Sequence, residues 1–211
     1  MPDERGHPRR PSAPTGLRTA AVWATLHQLA EEAGARLGRP LRVLDIGGGT
    51  GGTAVPLAQA GHDVTVVDPS PDALASLRRR ASECGVEHRV DAVQGDADSV
   101  RDLADGSTPA FDIVCLHGTL EVVDDPDVAL AGIAAVLAPG GTLSLVVAQR
   151  LPAALARALA GEFERASAIL QRPDGRWGDD DPAPRRFDES TVLALLRAHG
   201  LSVVDSHGVR I

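Results

Sequence analysis

The stretch Leu41 to Gly52, LRVLDIGGGTGG, constrains this chain more than any other. An apolar run of strand character ends in an aspartate and then breaks into glycines. Glycine has no Cβ, so such a loop adopts positive φ and lets backbone N–H groups approach a ligand closely. A helix-forming run, Thr53-AVPLAQA-Gly61, follows at once, so the loop opens onto a helix N-terminus. Strand, glycine turn and helix in this order predict a ligand crevice at the carboxyl end of the first strand of an open α/β sheet.

The rest of the chain continues the alternation. Strands are expected at Leu41–Ile46, Val64–Val67, residues 89–94, Phe111–Leu116 and Thr142–Val147. Between them, Pro71 opens a helix running to about Cys84, and Pro126 opens one running to Leu137. An amphipathic lead-in helix is expected from Leu17 to Arg36, with Val22, Leu26 and Leu29 at helical spacing. Residues 152–170 have helical character, 171–187 form a proline- and charge-rich loop, Asp188–His199 is another helix and Leu201–Asp205 a strand. This pattern predicts an α/β fold: a doubly wound, mostly parallel sheet with helices on both faces. Residues 1–16 are rich in Pro, Arg and Gly and are expected to form a flexible arm, leaving 17–211 as a single domain.

Composition narrows the function. All 21 basic residues are arginine, so no lysine is present for a Schiff base or a phosphate-binding loop of the lysine type. There is no tyrosine and aromatics are 2% of residues, which leaves few platforms for stacking single-stranded RNA. The net charge of −8 opposes a broad phosphate-binding surface. Cys84 and Cys115 make no disulfide framework and no metal spacing. No apolar run approaches the ~20 residues of a membrane span, and MPDERGHPRRPSAPTG lacks the apolar core of a secretory signal. A soluble, cytoplasmic protein without membrane partners is expected.

Two cofactor classes fit the glycine loop. Gly47, Gly49 and Gly52 satisfy G-x-G-x-x-G, the dinucleotide fingerprint. Asp45, Gly47, Gly49 and Gly51 satisfy D-x-G-x-G-x-G, which resembles motif I of the class I S-adenosylmethionine-dependent methyltransferases. Asp45 separates the two. A carboxylate at the strand end repels a pyrophosphate but suits a cofactor carrying a sulfonium and an ammonium group. Asp68 ends the second strand about 20 residues further on, where a carboxylate can accept both ribose hydroxyls; an acid before Pro69 at a helix start is its other reading. Asp96 follows the third strand, placed for the adenine amino group with the Ala97 backbone beside it. His117 lies just past the fourth strand on the same edge. Glu121, Asp124 and Asp125 on the next loop are expected to be mostly solvated, and so is the Arg78–Arg80 run.

A closer resemblance rests on HGTLEVVDDPDVAL, LAPGGTLSLV, GEFERASAIL and the GVRI that ends the sequence. These resemble the bacterial tRNA 5-carboxymethoxyuridine methyltransferase family, with gaps, from about Gly16 to Ile211. The resemblance implies S-adenosyl-L-methionine as cofactor and contacts from Arg18, Gly47, Gly48, Asp68, Asp96 with Ala97, and His117, Arg18 meeting the cofactor carboxylate. It also implies a methyl acceptor that is the carboxylate of a modified wobble uridine in tRNA. An ionised carboxylate needs no general base, so no catalytic residue is assigned. Arg150 or Arg210 near the crevice mouth would hold an acidic acceptor.

The chain departs from the family in two places. Asp179, Asp180 and Asp181 follow the GEFERA region, offset only by Arg172, Arg176, Arg185 and Arg186. The family's final antiparallel strand beside the fifth strand is expected to be missing. A small-molecule methyltransferase on the same scaffold, or a truncated, non-catalytic cofactor-binding protein, are the alternatives.

Overall fold

A computed structural model describes residues 17–104 and 110–209, with side chains described for 20–101 and 110–209. The expected arm at 1–16 lies outside the described residues. Five strands, β1 (Arg42–Ile46), β2 (Asp63–Asp68), β3 (Val90–Gln94), β4 (Phe111–His117) and β5 (Leu137–Val146), form one sheet in the order β3-β2-β1-β4-β5. Every pairing is parallel. The chain builds outward from β1 to β3, then crosses to β4 on the other side. The switch point between β1 and β4 therefore opens a crevice at the carboxyl ends of these strands.

The helices are α1 (Leu17–Leu37), α2 (Ala54–Gln59), α3 (Pro71–Glu83), α4 (Pro126–Val136), α5 (Arg150–Leu159), α6 (Phe163–Gln171) and α7 (Glu189–Ala198). Two sheet faces fill two cores. Val43, Val64, Val66, Ile113 and Cys115 pack under α1, α2 and α3 through Leu26, Leu57, Leu74 and Leu77. Leu44, Ile46, Val67, Val114 and Leu116 pack under α4 and α7 through Leu130, Ile133 and Val192. Strand side chains alternate between faces, so adjacent residues of β1 serve opposite cores.

Local chemistry explains where the helices start. Pro71 follows Ser70, whose Oγ accepts from Ala73 N at 3.2 Å, and Pro126 follows Asp125, whose carboxylate accepts from Asp127 N at 2.9 Å. At the amino ends of the strands, Arg39 grips Asp112 through two bonds of 2.8 Å, and Arg42 N donates a third to the same carboxylate. This clamp fixes the start of β1 against β4.

Three expectations change. The helix expected over 152–170 is two helices, α5 and α6, because Gly161 takes φ +79° and turns the chain after Ala160. Leu201–Asp205 is not a strand: no ladder partner reaches it, and Val204 is 92% exposed. Backbone in extended form is stabilised only when a neighbour completes its hydrogen bonds. The fifth strand also starts earlier than expected, at Leu137. Pro139, Gly140 and Gly141 lie inside it as an irregularity where the register jumps from Phe111↔Leu137 to Ile113↔Thr142. Among the described residues no antiparallel strand joins the sheet.

Candidate active site

The loop after β1 is shaped by its glycines and by the carboxylates beneath it. Gly47, Gly49 and Gly51 all take positive φ, whereas Gly52 does not. A Cβ on Gly51 would lie 2.3 Å from Leu77 Cδ1, while one on Gly52 would meet nothing within 4 Å. The backbone therefore requires glycine at the positions of D-x-G-x-G-x-G and not at the last position of the dinucleotide pattern. Gly47 N donates to Val67 O at 2.7 Å, so the loop is tied to β2 as it leaves the strand.

Asp68 ends β2 and is 8% exposed. Its Oδ2 accepts from Gly49 N and its Oδ1 from Ser70 N, both at 2.9 Å. Asp68 thereby orders the next turn and the glycine loop, and each oxygen keeps a further lone pair. Asp45 is different. It is 3% exposed, and its Oδ2 has no hydrogen-bond partner among the described residues. A Cβ on Gly48 would lie 2.5 Å from that oxygen, so only glycine lets the loop close over the carboxyl group. Burial, reinforced by the charge of Asp68, pushes the Asp45 carboxyl up to about 7.

His117 is the last residue of β4, and its Nε2 lies 2.9 Å from Ser144 Oγ on β5. Burial pushes the imidazole down to about 4, so it is neutral at physiological pH. Asp96 closes a local turn: its Oδ1 accepts from Ser99 N at 2.9 Å, and Ser99 Oγ donates to Asp96 O at 2.7 Å. Its second carboxylate oxygen has no hydrogen bond among the described residues. Ala97 is 3% exposed in the core under α4. Arg18 lies in the first turn of α1, with its side chain outside the described residues. The structure thus gathers Asp45, Gly47–Gly49, Gly51, Asp68, Asp96 and His117 at the carboxyl ends of β1 to β4.

Several residues at this end of the sheet carry weight that sequence spacing did not assign. Thr119 donates to Ile46 O at 3.1 Å and occupies the space that a Cβ on Gly47 would need. Glu121 is buried at 6% exposure rather than solvated. It accepts a hydrogen bond from Ala148 N beyond β5, and its Oε2 has no partner among the described residues. Their place in HGTLEVV was the only signal. A concavity of about 470 Å³ between α1 and α2, lined in part by His27, Glu31, Arg39 and His62, lies at the amino ends of the strands. In an open parallel sheet the ligand crevice is at the other end.

Beyond β5, residues 172–187 are an ordered lobe rather than a free loop. Asp181 pairs with Arg186 through bonds of 2.6 and 3.0 Å and also accepts from Trp177 N and Ala183 N. Burial opposes the Asp181 charge, but Arg186 and the two backbone donors outweigh it and hold the carboxyl below its usual range. Arg157 lies 4.0 Å from the Trp177 ring centre and Arg186 5.0 Å. Arg150 is committed to this lobe: it donates to Pro173 O at 2.8 Å and pairs with Asp188 at 3.4 Å. Its Nε has no hydrogen-bond partner among the described residues. Arg210 lies outside the described residues.

Residues 44–145 match the methyltransferase domain family. The chain is 31% identical over 195 residues to the tRNA 5-carboxymethoxyuridine methyltransferase of Escherichia coli (strain K12), covering 92% of this chain and 71% of that protein. It is 38% identical over 170 residues to the ubiquinone biosynthesis O-methyltransferase of Xanthomonas campestris pv. campestris (strain B100), covering 80% of this chain and 65% of that protein. Among solved structures, the cyclase SpnF superposes with a TM-score of 0.60 at 27% identity, covering 92% of this chain and 62% of that one. The chain belongs to the class I methyltransferases, with S-adenosylmethionine as its cofactor.

Proposed function

We propose that this chain methylates an ionised carboxylate, that of a modified wobble uridine in tRNA. His117 carries the reading. It is a neutral imidazole of low basicity, bonded to Ser144, at the mouth of the crevice. Such a group suits an acceptor that arrives already ionised and needs no proton removed. Similarity to the E. coli tRNA methyltransferase over 92% of this chain supports the same acceptor.

S-adenosylmethionine supplies, when bound, a methyl group on a positively charged sulfur. The chain's own residues align and enclose it, which is most of what an in-line displacement asks of an enzyme. In our reading Asp68 accepts the ribose hydroxyls, Asp96 and the Ala97 backbone meet the adenine, and Arg18 pairs with the cofactor carboxylate. The turn at Gly47–Gly49 and Gly51 gives its backbone to the amino-acid part, with Asp45 beneath. His117 closes the side nearest β5.

A second reading, a small-molecule acceptor, is favoured by the net charge of −8 and by similarity to the Xanthomonas O-methyltransferase. Methyl-labelled cofactor incubated with the chain, total tRNA and a metabolite extract separates the two. Label in tRNA that is lost on mild alkaline ester hydrolysis is the expected result. Label confined to small molecules overturns the tRNA proposal, and cofactor binding without transfer to either leaves a non-catalytic binder.

A further inference from the structure

The two carboxyl groups under the glycine loop are held in different ways. Asp68 has a backbone N–H on each oxygen. Asp45, beside it on β1, sits beneath Gly48 with Val66 packed against the same spot, and its Oδ2 has no donor among the described residues. A buried carboxylate with no donor and a second acid as neighbour is costly to keep ionised. The same carboxylate next to a fixed positive charge is stabilised.

We propose that Asp45 is the charge-selecting residue of the cofactor site: below neutral pH its carboxyl group holds a proton in the ligand-free chain and releases it to solvent when a positively charged cofactor binds. The inference rests on the reading that S-adenosylmethionine occupies this crevice. The proton balance is simple, since one carboxylic acid becomes one carboxylate and one proton enters the buffer as one sulfonium charge enters the site. S-adenosylhomocysteine keeps the ammonium and carboxylate of the cofactor but has a neutral thioether. It therefore brings one positive charge fewer and displaces less of the proton.

Few other groups compete for this role. From β2 the charged neighbour is Asp68, and from β4 the titratable neighbours are Cys115, in register with Asp45, and His117 at the strand end. Burial raises the Cys115 thiol and lowers the His117 imidazole, so both are neutral near pH 7. The glycine loop and α2 carry no titratable side chain, and α1 packs on this face through Leu26, Ala30 and Ala33.

Calorimetric titration of the full chain in two buffers of different ionisation enthalpy reads the proton directly. With an Asp45 carboxyl near 7, close to one proton leaves per S-adenosylmethionine bound at pH 6 and almost none at pH 8. Affinity for S-adenosylmethionine rises about tenfold over the same interval, and S-adenosylhomocysteine shows a smaller release and a smaller rise. Asp45→Asn abolishes the release. In the unaltered chain, infrared difference spectra show a protonated carboxyl band lost on adding S-adenosylmethionine, which keeps the test valid if the variant does not fold. Equal heats in both buffers at pH 6, or a release that survives Asp45→Asn, overturn the proposal. Absence of binding by either ligand at both pH values overturns the cofactor reading itself, and this inference with it.

Discussion

The ends of β1 to β4 and the lobe from Arg150 to Phe187 solve the problem of placing polar groups in opposite ways. At the strand ends, short side chains and backbone N–H groups do the work: Asp68, Asp96 and Thr119 each bond backbone atoms within a few residues of a strand. In the lobe, long side chains reach across sequence to one another, with Asp181, Arg186, Trp177 and Arg157 forming a knot. The first arrangement follows from the sheet and suits a constant ligand. The second depends on which long side chains face each other. Leu151, Leu155, Leu159 and Phe163 on α5 and α6 are 57–81% exposed, unlike the corresponding faces of α2 and α4.

The comparison is broken most sharply by Asp181→Ala. It leaves Arg186 buried without its partner, and we expect about 3–5 kcal/mol of lost stability in denaturant unfolding. The folded fraction should keep its affinity for S-adenosylmethionine. A loss below about 1 kcal/mol would show the lobe knot to be ornamental.

The strand ends are tested next by pH. Asp45 is raised from 3.8 to about 7, so the folded chain holds an extra proton between these values. Its contribution is fully present below about pH 4 and lost as pH rises through 7, a fall of up to about 4 kcal/mol. His117 is lowered from 6.5 to about 4, so the unfolded chain holds the extra proton and stability is lost as pH falls from 6.5 to 4. The two oppose one another over that window. Asp45→Asn should leave a ligand-free stability profile that rises from pH 4 to 6.5 and no longer declines toward pH 8. A profile unchanged from the parent chain would show that Asp45 is ionised throughout.

Smaller effects sharpen the picture of the loop. Gly51→Ala meets both a positive φ and Leu77, and should cost roughly 2–4 kcal/mol with at least a tenfold loss of cofactor affinity. Gly52→Ala, one residue on, should be within about 1 kcal/mol of neutral or slightly stabilising. Equal losses at the two positions would restore the dinucleotide pattern. Asp68→Asn should weaken S-adenosylmethionine binding by about 10–100-fold, read by calorimetry, since one charged acceptor of the ribose is lost. Ser144→Ala is the mildest, about 1 kcal/mol of stability with a few-fold rise in KM for the cofactor and little change in kcat.

Much of the strand-end region was legible in the sequence because its rules are local. Pro71 and Pro126 follow capping residues and mark helix starts, and aspartates ending neighbouring strands come side by side once a parallel sheet is assumed. Glu121 was not legible. Whether an acid on a loop is solvated depends on what lies over it, and Ala148, 27 residues away, decides that here. The acidic run Asp179–Asp181 looked like a departure in surface charge, yet Asp181 is an internal ion-pair partner. Leu201–Asp205 has strand composition, but composition does not supply a neighbour to pair with.

By itself the sequence determined the parallel α/β scaffold, the position of the crevice and the class of cofactor. These follow from strand–turn–helix periodicity and from the steric and electrostatic character of single residues, which hold in any context. Tertiary structure alone decided the desolvation of Asp45, the burial of Glu121 and the knot around Trp177. Those depend on desolvation and on partners distant in sequence, and both are properties of the packed chain.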